Sequence, residues 1–180
     1  AHGNGFSDEF VYSEVEKEYL EMYGDLTGDL HTDLHECLGH GSGQLLPGVD
    51  PDALKAHGST IEEARADLFG LYYLPDAKMR ELGLTPHDDA YKAEYYSFMM
   101  NGLMTQLVRI ELGNNVEEAH MRNRQLIAKW VFEKGADDKV VELVKKEGKT
   151  FVKINDYDKL RDLFGQLLGE IQRIKSEGDY

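Results

Sequence analysis

The stretch His31-Thr32-Asp33-Leu34-His35-Glu36-Cys37-Leu38-Gly39-His40 places a carboxylic acid between two imidazoles on what reads as one helix. That is the raw material of a hydrolytic zinc site. In a His-Glu-x-x-His signature the ligands stand at i and i+4, so both rings leave one helical face and the Glu beside the first can act as general base. Here the second His follows His35 at i+5. At about 3.6 residues per turn, five steps rotate by about 500°, which leaves His40 roughly 140° around the axis from His35 instead of roughly 40°. The helix must adjust. Widening the last turn by one residue, as in a π-bulge, restores convergence, and such bulges favour functional sites. Gly39 is suited to tolerate the distortion. His31 stands at i−4 from His35 and competes as a ligand on an undistorted helix, but choosing it takes Glu36 out of its place between the ligands.

A tetrahedral zinc site needs a third protein ligand, with the fourth position left for water. The best supplier downstream is Ser59-Thr60-Ile61-Glu62-Glu63-Ala64-Arg65-Ala66-Asp67, which reads as a second helix. Thr60 with Glu63 fits a capping box, the apolar run Leu68, Phe69, Leu71 and Leu74 follows, and Pro75 is the stop. Glu63 and Asp67 share a face, so one carboxylate can bind metal while the other accepts the free N–H of a ligating imidazole. Taken alone, these acids would equally make a charged helix start favoured by the macrodipole, with Arg65 solvated.

The two motifs together, His35-Glu36-Cys37-Leu38-Gly39-His40 and Glu62-Glu63-Ala64-Arg65-Ala66-Asp67, resemble the dipeptidyl peptidase III family of zinc exopeptidases in its compact bacterial form. The first motif is complete, and the second carries Ala for the usual Cys and Asp for the usual Glu. Similarity continues through His120-Met121-Arg122-Asn123-Arg124 to the C-terminus. The resemblance implies that His35, His40 and Glu63 bind one zinc per chain, and that Glu36 activates the water and passes its proton to the leaving amine. It implies that Glu62 and Asp67 hold the two imidazoles, that His120 helps to stabilise the tetrahedral intermediate, and that Arg124 lies in the active-site cleft. From its residues alone, His120 follows Glu117 and Glu118 near a helix start and reads as a surface side chain. Cobalt or manganese would suit the same ligands.

The implied fold is mainly α, a helical zincin-like catalytic lobe with at most one short strand or hairpin, spanning residues 1–180 as a single unit. Family members are much longer and two-lobed. Their peptide-clamping strand and catalytic Tyr have no counterpart in this chain, so it reads as the catalytic lobe, or a fragment of it, of a peptidase that releases dipeptides from the N-terminus of oligopeptides. Weak or absent turnover in isolation is expected. The competing readings are a metal-binding helical module without chemistry and a purely structural helical domain.

Composition sets the outer limits. The chain has 180 residues, 41% hydrophobic and 30% charged, enough for one domain with a real core. A single Cys excludes an internal disulfide framework and suits a reducing compartment, and no signal peptide opens the chain, so a cytoplasmic location is expected. No stretch approaches the roughly 18 apolar residues of a membrane span. A net charge of −14 argues against nucleic acid or an anionic membrane as partner and is compatible with peptides carrying a free amino terminus.

The remaining pattern reads almost entirely as helix. Ser7 caps a first helix to about Tyr23, ended by Gly24, and the zinc helix starts near Asp29. Thr85-Pro86 opens a long helix through Tyr91, Phe98, Leu107 and Ile110 to Gly113. Asn115 opens another to Lys134, stopped by Gly135, and Asp137 to Lys146 reads as a short one. Lys149 to Ile154 alternates and is read as a strand whose partner lies outside this segment. Asn155 caps the last helix, whose stripe Leu160, Leu163, Phe164, Leu167, Leu168 and Ile171 is core. Tyr72-Tyr73 and Tyr95 to Met100 read as packing, Cys37 as buried, and His57 and His87 as solvent-exposed.

Overall fold

Ser13 accepts a hydrogen bond from the Glu16 backbone N–H and starts α1 (Glu14–Asp33) in the computed structural model, which describes residues 10–104 and 115–180, with backbone alone for 115–119. The Ser7 cap falls outside those residues. Gly24 does not end the helix. The buried face of Thr27, Leu30 and His31 continues beyond it, and that packing outweighs the roughly 1 kcal/mol a mid-helix glycine costs. The two helices expected before His40 are therefore one. It runs without a break into a π-helical turn, Leu34–Gly39, closed by the His40 N–H on the His35 carbonyl at 2.9 Å.

After a 3₁₀ turn at Lys55–His57 comes α2 (Gly58–Tyr73), which has no side-chain cap. The Thr60–Glu63 capping box does not form, because the helix starts earlier, off the 3₁₀ turn. Asp76 caps the short α3 (Ala77–Glu81). Residues 85–90 form turns around the buried Thr85, so α4 (Tyr91–Met104) begins well after Pro86. The expected continuation to Gly113 lies outside the described residues. α5 (Asn115–Lys134) stops at Gly135, where a Cβ would stand 2.9 Å from both Leu163 and Val140 side-chain carbons.

The segment read as a short helix is a strand. β1 (Val141–Lys146) pairs antiparallel with β2 (Lys149–Ile154), Val141 opposite Ile154 and Lys146 opposite Lys149. Glu147 and Gly148 both take positive φ, 51° and 78°, as a tight two-residue hairpin turn requires. β2 thus finds its partner within the chain, and on its other side Val152 bridges Val11. Asp156, not Asn155, caps α6 (Tyr157–Glu177); Asn155 instead donates to the Lys139 carbonyl at 2.7 Å and ties the hairpin's two ends.

The result is mainly α with one hairpin. α2 lies at the centre, packed on the π-turn on one side and on α6 on the other, while α4 fills the space between α1 and α5. Leu68, Leu71, Tyr95, Tyr96, Met99, Val131 and Phe164 are fully buried there. Tyr95 sets its ring edge-on to Phe164 and donates its hydroxyl to the Leu71 carbonyl at 2.6 Å. Among the described residues no helix is long and apolar enough to cross a membrane.

Candidate metal centre

The π-turn does what the i+5 spacing demands. It brings the His35 and His40 rings to 4.7 Å between centroids, nearly perpendicular at 85°. Each ring is held from behind by a carboxylate of α2. His35 Nδ1 donates to Asp67 Oδ1 at 2.8 Å, and His40 Nδ1 donates to Glu62 Oε1 at 3.0 Å. That fixes the tautomer and leaves both Nε2 atoms facing Glu63, at 3.4 Å from Oε2 for His35 and 3.6 Å from Oε1 for His40.

Glu63 Oε2 is buried and accepts no hydrogen bond, although His35 Nε2 and, at 3.6 Å, His120 Nδ1 stand near it. A carboxylate oxygen is not left so without cost. The donor set answers this: two imidazole nitrogens and one carboxylate are a zinc set of the hydrolytic kind. Ligand atoms about 2.0–2.2 Å from one tetrahedral ion lie roughly 3.3–3.6 Å from each other. Each Nε2 stands at about that length from one Glu63 oxygen, His35 from Oε2 and His40 from Oε1, so the carboxylate lies between the two rings. The Glu36 carboxylate also comes within 4.8 Å of ligand nitrogens of both His35 and His40. Glu36 also lines the cavity shared with His35 and His120, where a water-activating base has room.

Charge is distributed to suit. The hydrogen bond to Asp67 raises the His35 pKa against the opposing effect of burial, helped by the negative charges of Asp67, Glu63 and Glu36. Burial works against ionised Glu62, but hydrogen bonds from Arg65, Lys175 and His40 outweigh it and hold the carboxyl down to about 2.

Arg65, read from sequence as solvated, is completely buried. Its Nε and Nη2 grip both oxygens of Glu62, at 3.0 and 2.8 Å. Nη2 also donates to the Gly39 carbonyl at the end of the π-turn, and Nη1 reaches Ser42 Oγ at 3.1 Å. One guanidinium therefore holds the distorted turn and the carboxylate behind His40 together, a task its planar fork suits. Its burial had no sequence signal beyond its place among the acids. Gly39 itself has a packing reason: a Cβ there would stand 2.8 Å from Ala66 Cα.

The other candidates sort plainly. His120 is brought to the site, its ring 6.2 Å from that of His35. Arg124, one turn later on α5, lies over the Phe98 ring at 5.3 Å and lines a cavity of about 220 Å³ with His35, Glu36 and His120. His31 is not available as a ligand, because Glu94 and the Asp67 carbonyl engage both its nitrogens. Cys37 is exposed, not buried, since it sits on the outer side of the π-turn. His57 and His87 are exposed as expected. A larger groove between α2 and α6, lined by Phe69, Tyr72, Leu168 and Gln172, lies away from these groups.

No curated protein matches the chain. Among solved structures, DPP III from Caldithrix abyssi is similar, with a TM-score of 0.67 at 22% identity over 97% of this chain. This chain spans only 30% of the length of that one. The likeness therefore concerns the fold of one part of a larger molecule. The family model of peptidase family M49 matches residues 51–180, which takes in Glu62, Glu63, Asp67, His120 and Arg124. With most of its length matched by that model, the chain belongs to peptidase family M49.

Proposed function

We propose that the chain holds one zinc ion on His35, His40 and Glu63, and that within a complete protein it supplies the catalytic centre of a metallopeptidase removing dipeptides from the N-terminus of oligopeptides. The observation that carries this reading is the convergence of both Nε2 atoms on the Glu63 carboxylate while Asp67 and Glu62 hold the opposite nitrogens. Family membership supports the reaction class, and the resemblance of the two motifs supports dipeptide release.

Zinc, when bound, supplies the Lewis-acid chemistry that lets water lose a proton near neutral pH. The residues do the rest. The Glu36 carboxylate takes the proton and delivers it to the amine nitrogen of the leaving peptide. The His120 imidazole and the Arg124 guanidinium, which line the same cavity, donate to the substrate oxygen on which negative charge develops. Asp67 and Glu62 keep the ligating rings oriented, and Arg65 keeps Glu62 ionised and in place.

A second reading, a metal-binding helical module without turnover, is favoured by one fact: the chain spans 30% of the structure it resembles. Hydrolysis of a chromogenic dipeptidyl arylamide separates the two. The peptidase reading expects turnover that falls about 10²- to 10⁴-fold in Glu36→Gln with zinc retained. Zinc binding with no turnover in the unaltered chain supports the module, and failure to bind zinc removes both.

A further inference from the structure

His31 lies one helical turn ahead of His35 on the inner face of α1, 5% exposed, and the proposed reaction does not use it. Its ring is closely enclosed. A Cβ on Gly70 of α2 would stand 2.5 Å from His31 Cδ2, and Phe98 of α4 meets the ring edge-on at 6.0 Å. Both nitrogens face acceptors: Nδ1 is 2.8 Å from Glu94 Oε1, and Nε2 is 3.1 Å from the main-chain carbonyl of Asp67. A carbonyl only accepts, so Nε2 carries a hydrogen and donates to Asp67, while Nδ1 shares a hydrogen bond with buried Glu94. Apolar side chains would fill this space without the cost of burying polar groups. What the pair adds is direction.

That direction converges on one residue. His31 and His35, successive turns of α1, both bond to Asp67: His31 to its carbonyl oxygen and His35 to its carboxylate. Asp67 is held at both ends, and the axial register of α1 against α2 is fixed there. Glu63 stands one turn earlier than Asp67 on the same face of α2. The register that the histidines impose thus decides where Glu63 stands relative to the His35 and His40 Nε2 atoms. Building on the metal-centre reading above, we propose that His31, oriented by Glu94, is a positioning residue that sets the register of the metal-binding carboxylate through the backbone of Asp67.

The test uses zinc as probe, its affinity for the chain measured by competition with a chromophoric chelator. A glutamine amide reaches the place of Nε2 and an asparagine amide that of Nδ1. His31→Gln keeps the tie to Asp67 and is expected to bind zinc within about 3-fold of the unaltered chain; His31→Asn and His31→Phe lose the tie and weaken zinc by about 10-fold or more. Melting temperatures of the metal-free variants give the comparison that a merely structural role would produce: affinity following stability, with Gln and Asn alike. Gln and Asn binding zinc equally, or all three binding as the unaltered chain does, overturns the proposal. The ¹⁵N shifts of the His31 ring in the unaltered chain test it without any variant. Protonated Nε2 is expected, and a bare Nε2 overturns it. His35→Ala separates the two levels. If it keeps zinc, the metal centre itself is wrong; if it loses zinc while the His31 variants do not, only the positioning role is.

Discussion

Replacing Gly39 by Ala strains the close approach of the π-turn to α2, and the consequence can be worked from the distances. The new Cβ would stand 2.8 Å from Ala66 Cα, 2.9 Å from its Cβ and 3.1 Å from its carbonyl oxygen. Carbon atoms in ordinary contact sit about 3.5–4.0 Å apart, so relief needs roughly 0.7 Å of separation. Two of the three atoms are main chain, and no rotamer change absorbs the clash. α2 must move off the π-turn, at about 1–3 kcal/mol for overpacking. The same displacement stretches the bonds that hold the imidazoles. The 2.8 Å bond from His35 Nδ1 to Asp67 and the 3.0 Å bond from His40 Nδ1 to Glu62 would lengthen to about 3.5 Å or beyond, where they no longer count as hydrogen bonds. Loss of such support costs about 10- to 100-fold in metal affinity. Urea denaturation of the metal-free chain and zinc titration measure the two losses. Gly24→Ala is the matched control: it lies in α1 with nothing within 4 Å of the added carbon, and is expected to gain up to about 1 kcal/mol. If Gly39→Ala unfolds at the original midpoint and binds zinc unchanged, the contact between the π-turn and α2 is not as described.

Two further outcomes are expected. Glu62, held at about 2 where a glutamate ordinarily titrates at 4.5, is more acidic folded than unfolded, so its ionised form adds stability above about pH 4.5 that is lost as the pH falls towards 2. Melts of the metal-free chain across that window should show a shallower acid limb in Glu62→Gln, and identical limbs would contradict the Arg65 and Lys175 contacts. Tyr96→Phe removes a buried hydroxyl that donates to the Val152 carbonyl at 2.7 Å and accepts from the Tyr12 N–H at 3.1 Å. It is expected to cost about 1–3 kcal/mol in denaturant, with zinc affinity untouched; a neutral effect would mean that the hairpin is not tied to α4 through this hydroxyl.

What the sequence disclosed, and what it hid, divides by range. The widened turn was legible because two imidazoles at i+5 cannot converge on a regular helix, and the division between a carboxylate that binds metal and one that holds an imidazole was legible from the four-residue step between Glu63 and Asp67. Both are local geometry. The burial of Arg65 was not, since nothing local says that Gly39 and Ser42 from one segment and Gln172 from another will meet its guanidinium. The His31–Glu94 pair spans 63 residues and is equally silent. Gly24 and the Asp137–Lys146 segment misled for a related reason: propensity yields where a buried face crosses a glycine, or where valines at 140, 141 and 144 find a partner strand across a Glu147-Gly148 turn.

The measurement that bears most directly on the central claim is metal content by elemental mass spectrometry, on protein purified without added metal and then supplied with zinc, beside His35→Ala and Glu63→Ala. One zinc per chain, abolished or strongly weakened by either substitution, is the predicted result. No zinc even after addition, or zinc indifferent to Glu63→Ala, would contradict a site built from the π-turn and α2 together.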